Sequence, residues 1–84
     1  MTDKRDRRAE FGRRLRRLRL ERQLSQEKLS ELAGLDRNYV TEAERGNMNP
    51  ALLTIGKLAD ALGVDDVTLI ADGRPDDATP SQDI

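Results

Sequence analysis

Apolar positions recur at helical spacing along most of the chain. Phe11, Leu15 and Leu18, four and three residues apart, form the buried stripe of a first helix from about Arg8 to Arg22, with Leu20 off the stripe. Ser25 is a natural N-cap for a second helix, and Gln26 and Glu27 put polar or acidic groups where the helix dipole is positive. Leu29, Leu32 and Ala33 give this helix a predicted buried face, and Gly34 ends it in the left-handed conformation. Asp36 is the predicted cap of a third helix that packs through Leu35, Val40 and Ala43 until Gly46 stops it, with small Ser30 allowing a close crossing. Asn47 to Ala51 form a loop in which Pro50 holds Asn49 extended. A fourth helix over about Leu52 to Leu62 should bury Leu52, Ile55, Leu58, Ala59 and Leu62 before stopping at Gly63. A short fifth helix starting near Asp65 or Asp66 offers Val67, Leu69 and Ile70. The pattern predicts an all-α, compact five-helix domain over residues 8–71. It is flanked by a flexible basic arm, 1–7, and by an acidic, Pro-containing tail, 72–84, too polar to bury the surface that order requires.

Two short amphipathic helices either side of a glycine turn, residues 24–46, are the sequence form of a helix-turn-helix. At 100° per residue, Val40, Ala43 and Glu44 fall on one side of the third helix. Arg37, Asn38, Thr41, Glu42 and Arg45 gather on the opposite arc. A surface helix can carry such an arc merely as a solvated face. The same residue types can also read a major groove: arginine pairs with guanine, asparagine with adenine, threonine meets the thymine methyl and glutamate accepts from cytosine. Arg37, Asn38, Thr41 and Glu42 are the candidate base-reading residues, with Arg37 placed in the first turn of the helix. Arg45, two turns on, is a candidate phosphate contact.

The run LSQEKLSELAGLDRNYVTEAERG, continued by ERGNMNPALLTIGKLADALGV, resembles the Cro and phage-repressor, or xenobiotic-response-element-like, helix-turn-helix family over about Phe11 to Ala71. Within it, LDRNYV and the chain length most resemble the controller proteins of restriction-modification systems. Asn38 stands where those carry threonine, and Met48 where they often carry a basic residue. The resemblance implies a repressor-like domain and a structural pair between Arg19 of the first helix and Glu44 of the third, at the edges of their buried faces. It implies that Gln26 and its helix end meet a phosphate, and that the loop holding Asn47 and Asn49 runs along the DNA backbone. Tyr39 lies away from the reading arc, with its hydroxyl at a phosphate or its ring against the first helix. Met48 reads as packing or interface.

Charge strengthens the DNA reading. The chain has 84 residues and a net charge of −1, yet residues 1–22 hold ten basic against four acidic residues, a balance of +6 that leaves −7 for the rest. Local field governs attraction to a duplex, so such a division suits a phosphate footprint, while some of these arginines can serve helix pairing instead. Absence of cysteine and histidine removes disulfides, thiolate metal sites and the commonest general base, so neither an enzyme, a metal nor a cofactor is expected. No apolar run reaches transmembrane length and no signal-peptide core follows the charged start, which predicts a cytoplasmic protein without a membrane partner. With Phe11 and Tyr39 the only aromatics, the core is small and a homodimer would help to stabilise it; Val67, Leu69 and Ile70 are its predicted interface. The leading expectation is a homodimeric transcriptional regulator on a palindromic double-stranded operator. The alternative is an antitoxin-type interaction module whose acidic tail binds a protein partner.

Overall fold

A computed structural model of the protein describes the backbone of residues 4–71 and the side chains of residues 7–70. These residues form α1 (Lys4–Glu21), α2 (Gln26–Ala33), α3 (Tyr39–Glu44), α4 (Leu52–Leu62) and α5 (Asp66–Ala71), with no strand among them. The five-helix expectation therefore holds. α1 takes in Lys4 to Arg7, which the pattern assigns to an arm; the tail, 72–84, lies outside the described residues.

The core is aliphatic with one aromatic. Phe11, Leu15 and Leu18 of α1 meet Leu29 and Ala33 of α2, Val40 and Ala43 of α3, Leu58, Ala59 and Leu62 of α4, and Leu69 of α5. Ser25 caps α2, its hydroxyl accepting from the Lys28 amide at 2.9 Å, and Gly34 and Gly63 end α2 and α4 at φ 71° and 74°.

Four packing expectations are corrected. Leu32 is half exposed, because the buried sector of α2 is centred on Leu29, Ser30 and Ala33 and Leu32 falls at its edge. Leu52 lies on the buried side of α4 but in its overhanging first turn; burial begins only from the middle of the helix, and Leu52 is 74% exposed. Leu69 is fully buried in the monomer core and so is not free to form a dimer surface, whereas Val67 and Ile70 remain exposed. Asp36 does not cap α3. Its carbonyl accepts from the Tyr39 amide in a turn over residues 36–39, and Asn38 occupies the cap position without a side-chain bond. α2 supplies what is missing: the buried Ser30 hydroxyl accepts from the Val40 amide at 3.3 Å. A donor left open at the start of α3 is thus satisfied across the helix pair.

Arg14 of α1 and Arg22, just after it, close the ends of two other helices. The Arg14 guanidinium donates to the carbonyls of Leu69 and Ile70 in the last turn of α5, and that of Arg22 donates to the Leu62 carbonyl at the end of α4. Both satisfy carbonyls that a helix end leaves open and oppose its negative pole.

Gly12 sets how closely α1 and α3 cross. A Cβ built there would stand 2.5 Å from the Ala43 carbonyl oxygen and 2.8 Å from that of Glu44, so α1 would have to move off α3. Gly12→Ala should cost about 2 kcal/mol and lower the thermal midpoint by about 10 °C. Gly56→Ala is the contrast: its Cβ would meet only Asp66 Oδ2 at 3.8 Å, so exchange in the middle of α4 should stabilise by about 0.5–1 kcal/mol. Equal midpoints for the two variants in thermal unfolding would rule out the tight crossing.

Candidate nucleic-acid interface

α3 is short, six residues, and could not hold itself in place alone. Its apolar side is anchored by Val40 and Ala43, both fully buried, and its end by a buried ion pair. Arg19 Nε donates to Glu44 Oε2 at 2.6 Å and Arg19 Nη2 to Oε1 at 3.0 Å, with side-chain exposures of 7% and 4%. Arg19 Nη1 donates to the Leu24 carbonyl at 2.7 Å, which ties the pair to the connection between α1 and α2. The geometry is the one that the family resemblance implies for these two residues.

The pair extends outward. Gln26 Nε2 donates to Glu44 Oε1 at 2.9 Å, and the Thr41 hydroxyl donates to Gln26 Oε1 at 2.9 Å. Gln26, a candidate phosphate contact, and Thr41, a candidate base reader, are therefore held in one hydrogen-bonded chain that ends on the buried guanidinium. Spacing alone does not reveal this link, because it joins residues fifteen and eighteen positions apart across two helices.

Glu42 forms a second cluster. Its Oε2 accepts from Arg45 Nη1 at 3.1 Å and its Oε1 from Asn47 Nδ2 at 2.8 Å. A proposed base reader thus holds two proposed backbone contacts, and each of its oxygens keeps a further acceptor site. Arg45 is exposed and these bonds exchange readily with solvent or phosphate.

Arg37 and Asn38 are corrected in place. Both lie in the turn before α3, not in its first helical turn, and both are exposed. Arg37 Nη2 stands 3.4 Å from Glu27 Oε2 with both side chains mostly in water, a pair worth little and easily exchanged. Asn49 is exposed in the loop before α4. Tyr39 is half-buried and packs on the core, and burial pushes its phenol above the ordinary value of 10.0. Its proton therefore stays on at neutral pH, and the stability tied to that proton is fully present below the ordinary value and is lost as pH rises from there through the raised folded value. Met48 is likewise half-buried against the core. Among the described residues no group of acidic side chains is arranged to hold a metal, and no helix is long and apolar enough to cross a membrane.

Removing one partner of the buried pair should be far worse than removing both. Glu44→Ala leaves a desolvated guanidinium and should cost about 3–5 kcal/mol, while Arg19→Met combined with Glu44→Leu should recover most of that loss. Gln26→Ala, which deletes one outer hydrogen-bonded link, should cost about 1 kcal/mol. Urea midpoints that rank Gln26→Ala below Glu44→Ala would contradict the assigned burial.

The family sequence pattern of HTH_3, helix-turn-helix, matches residues 15–69. The restriction-modification controller protein C.AhdI from Aeromonas hydrophila is 50% identical and superposes with a TM-score of 0.72, covering 74% of this chain and 94% of its own. An uncharacterized HTH-type transcriptional regulator, y4dJ, of Sinorhizobium fredii is 40% identical over 75 residues, which are 89% of this chain and 94% of that protein. Control protein C.BamHI of Bacillus amyloliquefaciens is 44% identical over 55 residues, 64% of this chain and 68% of its own. With the pattern running from the second half of α1 into α5, and so across all of α2, α3 and α4, the chain belongs to the HTH_3 helix-turn-helix family.

Proposed function

We propose that the protein is a sequence-specific transcriptional regulator that binds double-stranded DNA as a homodimer, with α3 and the turn before it in the major groove of each half-site. One observation carries the reading. The apolar side of α3 is wholly covered, so its polar side faces outward, flanked by the exposed Arg37 and Asn38 of the turn before it and Arg45 at its end. Likeness to C.AhdI and C.BamHI favours a restriction-modification controller role, acting through its own concentration. The interaction-module alternative rests on residues 72–84, outside the described residues, and nothing in the fold favours it.

Within this reading, Arg37 projects from the turn that enters the groove and makes a bidentate contact to guanine. Asn38 pairs with an adenine edge, and Thr41 and Glu42 meet bases deeper along the arc. Gln26, at the start of α2, and Tyr39, Arg45, Asn47 and Asn49 fix the register on the phosphates. Pairing about a two-fold axis puts two recognition helices about 34 Å apart on a palindromic operator. Val67 and Ile70 of α5 remain available for that pairing, and the exposed Leu52 and Leu53 lie on the adjacent α4.

Selection of bound sequences from random duplex DNA tests the reading directly. On the selected operator, a dimer with about six phosphate contacts should lose on the order of a thousandfold in affinity between about 50 and 200 mM salt. Arg37→Ala should weaken the operator by about 1–3 kcal/mol and relax preference at one base pair per half-site, with little effect on random DNA. Arg45→Ala should weaken all sequences alike and reduce the salt slope by about one per contact. Equal losses on operator and random DNA for Arg37→Ala would remove it from base reading.

The dimer is checked separately. Val67→Asp, at an exposed site, should give folded monomers in sedimentation that occupy one half-site weakly. Leu69→Asp should unfold the domain instead, because Leu69 is a core residue. A Val67→Asp protein that still sediments as a dimer places the interface elsewhere.

A further inference from the structure

Beside the helix-turn-helix, α1, the loop before α4 and α5 enclose an open cleft of about 380 Å³. Phe11, Pro50, Ile55 and Ile70 give it apolar surface, and among its charged lining residues Arg7, Arg8 and Arg14 outnumber the one carboxylate, Glu10, so the lining is net positive. The Nε of Arg8 is buried and, among the described residues, has no hydrogen-bond partner. A buried donor left open beside apolar surface calls for an acceptor, and the positive lining calls for an anion. Arg14, also at the cleft, is already engaged by the α5 carbonyls, so Arg7 and Arg8 are the groups with capacity to spare.

We propose that the cleft is the docking site for the chain's own acidic segment, residues 72–84, which there competes with DNA phosphates for the arginines of α1. α5 ends at Ala71, one residue after the cleft-lining Ile70, so in the chain the segment follows directly on the cleft's own lining. Its sequence, DGRPDDATPSQDI, carries four aspartates against one arginine. Asp72, Asp76 and Asp77 fall within about 20 Å of Ala71 even in a fully extended chain, which is reach enough for a neighbouring guanidinium. Pro75, Ala78 and Pro80 interleave with these acids and match apolar surface in a net positive lining. Tethering supplies an effective concentration in the millimolar range, so weak ion pairs suffice to occupy the cleft at low salt. The division of the chain into a basic start and an acidic remainder then becomes a self-neutralising contact that duplex DNA must displace. The competition rests on the DNA-binding reading above; the docking itself does not.

The absence of cysteine lets a single label report on the segment. A nitroxide on Ser81→Cys in the full chain, read by nuclear magnetic resonance, should broaden the amides of Arg8, Phe11 and Ile55 far more than those of α2, which does not line the cleft. The effect should be present at about 50 mM salt and lost at about 500 mM, where screening shortens to a few ångströms. Arg7→Gln with Arg8→Gln should abolish it while circular dichroism stays unchanged. No selective broadening at low salt, or broadening that survives the arginine exchange, overturns the docking. Should about four-fifths of molecules be docked, Asp72→Asn, Asp76→Asn and Asp77→Asn together should tighten binding to random duplex about fivefold. A charge-matched control, Glu31→Gln, Asp60→Asn and Asp65→Asn, should gain less, and equal gains overturn the competition. A protein that shows the broadening but binds no DNA would defeat the functional reading and leave the docking intact.

Discussion

The buried pair of Arg19 and Glu44 is the constraint on which the rest of the domain depends. Removing two charges from water is expensive, and attraction between them offsets the cost only when geometry is good and the remaining donors and acceptors are satisfied. Here the fork of the guanidinium meets both carboxylate oxygens, a third donor goes to the Leu24 carbonyl, and the carboxylate takes one further bond from Gln26. All of these partners are needed at once. α1, the turn after it, α2 and α3 therefore share one arrangement, and a six-residue helix with little intrinsic stability acquires a fixed orientation.

Close backbone approach is the second half of the same arrangement. The pair can form only because α1 and α3 touch at Gly12, where the Ala43 carbonyl occupies the space that a Cβ would take. Gly46, at φ 83°, lets the chain leave α3 beside Ala9, again on α1. Ser30 adds the complementary bond from α2 to the start of α3. Small residues thus bring the backbones together, and the polar groups then fix the register. Apolar burial alone would tolerate sliding. A reading surface that must place side chains against base edges cannot.

Legibility in the sequence follows the same physics. Local signals give the helices: the Phe11, Leu15, Leu18 stripe, the Ser25 cap, and the stops at Gly34 and Gly63 are each set by neighbours in the chain. Errors occur where a partner decides. Leu32 and Leu52 have helical spacing, but Leu32 falls at the edge of the buried sector and Leu52 in the first turn of α4 where burial has not begun, while Leu69, which the spacing offers as interface, is claimed by the monomer core. Asp36 looks like a cap because caps are normally local, yet the cap of α3 comes from Ser30 on another helix. With the helix starting only at Tyr39, Arg37 stands in the preceding turn. Gly12 does carry a local signal of its close crossing, since a glycine within an otherwise helical run costs about 1 kcal/mol against alanine and so points to a packing reason. The Gln26, Thr41 and Glu44 chain carried no such signal, being a long-range contact between residues that each look ordinary.

The arginines of α1 show why charge counts mislead at the level of single residues. A strongly basic helix suggests a uniform phosphate footprint, but its members have separate tasks. Arg19 is buried in an ion pair, Arg14 closes the end of α5, Arg17 lies 3.7 Å from Glu21, and Arg22, just after the helix, closes the end of α4. Those groups are committed within the fold and have less to offer a duplex. Arg7, Arg13 and Arg16 remain exposed, so the field that DNA meets comes from fewer cations than the sequence contains, and from defined positions along α1. Structural arginines raise the local potential without making contacts, while the exposed ones can release counterions. A small domain can in this way spend the same residue type on holding helix ends and on attracting phosphate, and its net charge of −1 describes neither.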